Sequence, residues 1–196
     1  MRPLIRAERP ADHAAIRAVT VAAFESSTYG HHNEAEIVEA LRAAGALSVS
    51  LVAEADGEIV GHVGFSLVQI TDAEGDWHGL APLSVAPAWQ GRGVGRALVR
   101  DGLCVVEAIR AAGCVVLGDP AYYGRFGFQS DPALRYREAS PYLQRLVLCG
   151  SAPGGEVRYH PAFDMEAPDW RAGRGLPPGG DPNRIIEWRN TCAGTV

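Results

Sequence analysis

Apolar residues recur along this chain in two periods, and each period marks an element. Residues 4–8 read as a short first strand. Pro10-Ala11-Asp12 then opens a helix whose Ile16, Val19, Ala23 and Phe24 fall at helical spacing. A polar break over 26–33 follows, and Asn33 is placed to cap a second helix that runs through Leu41 and stops near Gly45. Residues 49–55 and 58–70 alternate as two strands about Asp56-Gly57, a pair with tight-turn chemistry, so they form a hairpin. A third strand covers 77–85 and contains Pro82, which cannot donate to a ladder and so marks an edge, a bulge or a gap in pairing.

After the third strand the period changes to helical. From Gly93 to about Ala112, the positions Val94, Ala97, Leu98, Val105, Ala108 and Ile109 are expected on one buried face, ending at Gly113. Gly102 inside that helix costs about 1 kcal/mol against alanine, and the pattern gives no reason for it. Cys114-Val115-Val116-Leu117 is an unbroken apolar run, read as a buried parallel strand reached by a right-handed crossover. Residues 142–149 and 156–160 are expected as two last strands that pair with each other as an antiparallel flap. Beyond Phe163, prolines and glycines crowd a stretch with few apolar residues, which cannot build a core. The organisation expected is one domain over 1–163 and a Pro/Gly-rich tail over 164–196, in which Ile185, Ile186 and Trp188 are the docking candidates.

The turn from third strand to long helix carries the chemistry. It reads Gln90-Gly91-Arg92-Gly93-Val94-Gly95-Arg96. Glycine lets the backbone take positive φ and lets a ligand approach the main chain. The free N–H groups of a helix's first turn attract an anion, and Arg92, Arg96 and Arg100 add positive charge at a spacing of four. Phosphate is the guest this predicts. No Lys-Ser or Lys-Thr follows the glycines, so the loop is not that of a nucleoside triphosphatase. The glycine spacing is not that of a dinucleotide site either.

Composition narrows this further. A chain of 196 residues with 47% apolar and 21% charged residues is an ordinary globular domain. A net charge of -5 argues against nucleic acid as the partner, and no apolar run is long enough to span a bilayer. The four cysteines are scattered with no metal-type pairing. Cys104 and Cys114 lie on apolar segments and are expected as buried free thiols. The expected location is cytoplasmic.

The motif Gln90-Gly91-Arg92-Gly93-Val94-Gly95, preceded by a Leu-x-Val-x-Pro strand end, resembles the acyl-CoA loop of the GNAT acetyltransferase superfamily. The run Gly118-Asp119-Pro120-Ala121-Tyr122-Tyr123-Gly124-Arg125-Phe126-Gly127-Phe128 is similar to that of its YhbS-like branch, as are residues 155–163. The resemblance implies an α+β fold: a central mixed sheet of six to seven strands flanked by helices, with two splayed central strands forming the acyl-CoA slot. It also implies acetyl-CoA as cosubstrate, and transfer of its acetyl group to a primary amine by direct attack in a ternary complex. A non-catalytic acyl-CoA-binding regulatory module is the alternative. Small-molecule or peptide amines are the acceptors implied, and a homodimer is compatible with the fold.

By the same resemblance, the backbone of Leu83, Ser84 and Val85 holds pantetheine. Gln90, Gly91, Arg92, Gly93, Val94, Gly95 and Arg96 hold the pyrophosphate, and Tyr123 donates to the leaving sulfur. Tyr122 is expected to face the acceptor. Ala81 stands where many members carry a glutamate, and Val116 where many carry asparagine. His78 is therefore the first candidate proton acceptor, with Glu34 and Asp119 behind it. His31-His32 fall in the loop that borders the acceptor pocket, a position compatible with a metal and with a solvated loop.

Overall fold

The computed structural model describes residues 2–25, 33–137 and 140–165. The tail beyond 165 and His31-His32 lie outside the described residues. In chain order the elements are β1 (Leu4–Ala7), α1 (His13–Glu25), α2 (Glu34–Ala43), β2 (Leu47–Ala55), β3 (Glu58–Ile70) and β4 (Trp77–Val85). They continue as α3 (Val94–Ala108), β5 (Gly113–Leu117), α4 (Pro120–Tyr123), β6 (Gln129–Ser130), β7 (Leu134–Arg135), β8 (Leu143–Val147) and β9 (Gly155–Arg158). Among the described residues the sheet has nine strands. Seven form the continuous order β1-β2-β3-β4-β5-β8-β6, and β9 joins the end of β3 and carries β7. The strands not expected from the sequence are the two-residue edge pieces β6 and β7. The expected flap is not formed either: β8 pairs with β5 and β9 with β3, so the last two long strands lie on different neighbours. The parallel run of β5 supplies β8 with an unpartnered edge, which alternation along the chain does not reveal.

The feature that positions the site is the parting of β4 from β5. These strands are parallel, and only Trp77, His78 and Gly79 of β4 pair with Gly113, Cys114 and Val115. Past Gly79, β4 stays paired only with β3, while β5 continues against β8. On the β3 side, Phe65 stands opposite Leu80 and Val63 opposite Leu83, so β4 carries one extra residue at Ala81-Pro82. The bulge lies where Pro82 predicts it, and it bends β4 away from β5.

α3 crosses back over one face of the sheet. Its buried residues are Val94, Gly95, Leu98, Val99, Gly102 and Val106, whereas Val105 and Ile109 are exposed. The expected face is therefore rotated, and Gly102 explains why. A Cβ there would sit 2.4 Å from Phe65 Cε2, so the glycine receives a fully buried ring from β3. Cys104 shares the exposed side and is not a buried thiol, while Cys114 is buried as expected. The opposite face is covered by α1 and α2, where Ile16, Val38 and Val52 pack together. Asn33 precedes α2 but makes no side-chain cap. Its Nδ2 donates to Met165 O at 2.7 Å and ties the head of α2 to the end of the described chain.

Candidate active site

At the open end of the parted strands lies a cleft of about 390 Å³ between the end of β4, the glycine loop and α4. Gly91 and Gly93 take φ of 72° and 81°, values that only glycine adopts without strain. Gly93 is the residue before α3, and its carbonyl accepts from Ala97 N–H at 3.0 Å. The amides of Val94, Gly95 and Arg96 thus have no partner within the helix. A Cβ at Gly91 would meet nothing within 4 Å, and one at Gly93 only the Arg96 guanidinium at 3.8 Å. Backbone here is open to a guest. Gln90 fixes the loop to the strand, because its Nε2 donates to Val85 O at 3.1 Å.

The cleft's charge suits an anion. Arg92, Arg96 and Arg125 line it together with uncharged residues, and among the described residues no carboxylate does. Arg92 lies over the Trp89 ring at 5.4 Å and Arg125 over the Tyr122 ring at 4.9 Å. Arg100, expected beside Arg92 and Arg96, is exposed and not part of the lining. A diphosphate fits this set, since amides at a helix start and three guanidiniums both favour negative charge.

The two tyrosines divide differently from expectation. Tyr122 lines the cleft, with its hydroxyl 2.9 Å from where a Gly95 Cβ would be, so it faces the phosphate loop and not an acceptor pocket. Tyr123 turns the other way. Its ring lies against Gly118 at the end of β5, where an added Cβ would be 2.3 Å from Cε2, and packs edge-on with Tyr122 and Phe128. Gly118 follows the part of β5 that has left β4, which puts Tyr123 at the parted strands. Asp119 caps α4 by accepting from Ala121 N–H at 2.8 Å, so it fixes a turn.

Leu83, Ser84 and Val85 lie in the stretch of β4 that β5 has abandoned. His78 does not. It is buried, sits in the closed end of the sheet paired with β3 and β5, and is seven residues from Val85, roughly 20 Å along a strand. Burial pushes its pKa down, though Asp76 opposes this. Its register partners are Leu67 of β3 and Cys114 of β5, at the end of β4 away from the phosphate loop. Glu34 is the first residue of α2 and is buried. The tie from Asn33 to Met165 brings that helix start near Phe163, which touches Tyr159, whose ring lies on Gly79 of β4. Glu34 is thus on the side of the slot strand away from α3.

Sequence reasoning passed over Trp89 and Arg125 in the cleft. Arg125 follows Tyr122 by three residues across a short helix, a spacing that would have exposed it. Among the described residues no helix is long and apolar enough to cross a membrane.

The model of the acetyltransferase (GNAT) domain matches residues 46–130. The chain is 42% identical over 169 residues to YhbS of Escherichia coli K12, named an uncharacterized N-acetyltransferase, covering 82% of this chain and 98% of YhbS. Among solved structures, it is similar to a GNAT family acetyltransferase from Brucella melitensis in complex with acetyl-CoA. That match has 50% identity and a TM-score of 0.73, over 82% of this chain and 97% of that one. The crystal structure of E. coli YhbS in complex with CoA matches with 37% identity and a TM-score of 0.76, over 84% and 93%.

Proposed function

Since the chain belongs to the GNAT acetyltransferase family, we propose that it moves the acetyl group of acetyl-CoA to a primary amine, by direct attack while both substrates are bound. The observation that carries this reading is the open amide cradle of Gly91, Gly93 and the first turn of α3, ringed by three arginines at the mouth of two parted strands. Relatives of high similarity are described with acetyl-CoA and CoA bound, which agrees with that donor.

Each residue then has a task. Val94, Gly95 and Arg96 amides, with Arg92, Arg96 and Arg125, hold the pyrophosphate, and Gln90 keeps the loop closed on β4. The unpaired edge of β4 at Leu83, Ser84 and Val85 offers backbone groups to pantetheine, in place of the ladder that β5 has withdrawn. One such N–H suits the oxyanion that develops on the acetyl carbonyl. The acetyl thioester supplies an activated carbonyl and a good leaving group. Tyr123 supplies a proton to the departing sulfur from its place at the end of β5. The acceptor is a small-molecule or peptide amine, attacking from the α1 and α2 side. His78, held in the closed part of the sheet, takes no part in this scheme.

The test is calorimetric titration with acetyl-CoA, followed by release of free CoA thiol across a panel of primary amines. Micromolar binding with amine-dependent thiol release supports the reading. Absence of acetyl-CoA binding overturns it.

A further inference from the structure

An alkylammonium holds its proton near a pKa of 10.4, so an amine that becomes an amide must give a proton away. β3 carries a buried histidine on the side from which the amine approaches. His62 is fully buried, stands opposite Val52 of β2 and Ser84 of β4, and shares Val52's α1-covered face of the sheet. Its Nε2 is 2.9 Å from Ser50 Oγ. Ser50 Oγ donates to Glu8 Oε2 at 2.6 Å, and Arg42 donates to both Glu8 oxygens at 2.9 and 2.8 Å. Burial alone would raise the Glu8 pKa, but the hydrogen bonds from Arg42 and Ser50 outweigh it and hold the carboxyl below its ordinary value.

These directions assign the tautomer. Glu8 is ionised and only accepts, so Ser50 gives it its one proton. Ser50 then accepts from His62, which places the hydrogen on Nε2. Burial pushes the His62 pKa down to about 4, so the ring is neutral at pH 7. Nδ1 is left as a bare lone pair, buried and without a hydrogen-bond partner among the described residues.

The His62 ring is next to the bulge. A Cβ added at Gly64 would be 3.7 Å from His62 Cε1 and 3.1 Å from Ala81 O, so the imidazole and the bulge carbonyl meet over one glycine. Ser84 Oγ, across from His62, is likewise buried without a partner. So are Thr20 Oγ1 on α1, which packs on β3 and β4, and Ser66 Oγ on β3. Native proteins rarely leave so many polar atoms dry at one interface; internal water or a polar substrate satisfies them.

We propose that His62 is the internal proton acceptor of the acetyl transfer, fed from the amine through Ser84 and internal water and drained through Ser50 to Glu8. This rests on the function proposed above. The amine attacks as the neutral base, and once the C–N bond has formed, one N–H bond of its now cationic nitrogen breaks. Its proton goes to Ser84 Oγ, while the Ser84 proton goes to an internal water that gives its own to Nδ1. Nε2–H passes its proton to Ser50, and Ser50 passes its own to Glu8. Glu8 ends protonated and Arg42 keeps its charge. The Glu8 side chain is 16% exposed, with the 40% exposed His13 at 3.7 Å on its outer side, so the proton leaves to solvent there. Transfer is uphill from a free ammonium and downhill from an N-protonated amide, so the relay acts after attack. A weakly basic imidazole suits this, because it passes the proton on without retaining it.

The test uses the full chain with acetyl-CoA and n-butylamine as probe, read by CoA thiol release; hydrolytic release is read the same way if n-butylamine gives no product. Ser84→Ala, His62→Gln and Ser50→Ala are each expected to lower kcat at least tenfold and leave the acetyl-CoA KM within twofold. A second readout needs no turnover: nitrogen NMR of histidine-labelled protein should show His62 neutral with hydrogen on Nε2 from pH 5.5 to 8. Hydrogen on Nδ1 overturns the relay. So does unchanged kcat in folded Ser84→Ala and His62→Gln, or a rate lost only in Glu34→Gln, which would send the proton to α2. Failure of the unsubstituted protein to bind acetyl-CoA strikes the proposed function instead.

Discussion

Replacing Gly102 by alanine sets two known effects against each other. Alanine is the better helix former by about 1 kcal/mol, so an exposed glycine in the middle of α3 would be improved by the change. Gly102 is not exposed. Its Cβ would be 2.4 Å from Phe65 Cε2 and 2.7 Å from Cζ, against an ordinary carbon–carbon contact of about 3.5–4.0 Å. Phe65 has no exposed surface and is flanked across the sheet by Val49 and Leu80, both buried, so the ring has little room to retreat. Overpacking of this kind costs about 1–3 kcal/mol, and a shortfall of more than 1 Å against a rigid ring belongs at the upper end. Subtracting the helix gain leaves Gly102→Ala destabilised by about 1–2 kcal/mol. With a urea m-value of about 2 kcal/mol/M, the midpoint falls by about 0.5–1 M at unchanged slope. Urea unfolding followed by circular dichroism reads this directly. The change should be strongly non-additive with Phe65→Leu, which makes space for the methyl. A midpoint that rises or stays put in Gly102→Ala would refute the packing account and restore the face predicted from apolar spacing alone.

Other outcomes follow from the site and its surroundings. Gly93→Ala, forced to a φ of 81° in the phosphate cradle, should weaken acetyl-CoA binding about tenfold by calorimetry; unaltered affinity would count against the cradle. Tyr123→Phe should slow turnover while acetyl-CoA affinity stays the same, and equal turnover would remove its role as proton donor. Hydrogen bonding from Arg6 holds the Asp12 carboxyl down at about 2. A carboxyl lowered from 3.8 to about 2 adds about 2 kcal/mol of stability. That stability is present above pH 3.8 and lost as pH falls through 2. Asp12→Asn should therefore lower the unfolding midpoint at pH 6 and bring the two proteins together near pH 2; a constant gap between them would refute the linkage.

The elements with local chemistry were readable from sequence. Asp56-Gly57 supplies the positive φ of its turn, so the β2–β3 hairpin needed no tertiary information. Pro82 cannot serve a ladder, and the bulge is where it stands. The glycine loop was legible because its backbone conformation excludes other residues. What depended on partners was not. The buried side of α3 was misread because Gly102 contributes no hydrophobicity of its own, only a hollow for a ring thirty-seven positions earlier. Asn33 has a capping residue's chemistry, but a carbonyl 132 residues away took its amide. The strands β8 and β9 were visible as strands, yet their neighbours are set by the edge of β5 and the overhang of β3. His62 was hidden because a polar residue in an alternating strand reads as outward-facing, and here the outward face is roofed by α1. The division of labour between Tyr122 and Tyr123 turns on one rotation of a four-residue helix.

Three residue pairs, Trp77 to Gly79 with Gly113 to Val115, are all that stitch β4 to β5. The molecule is thus a clothes-peg, with the β1–β4 meander as one jaw, the β5–β8 half as the other, and α3 as the spring across them. A donor held between the jaws, as proposed above, contributes rungs that the seam lacks, and on that proposal occupancy and resistance to unfolding rise together as RT ln(1 + [L]/Kd). On that proposal the donor substrate, while it stays, is part of the architecture.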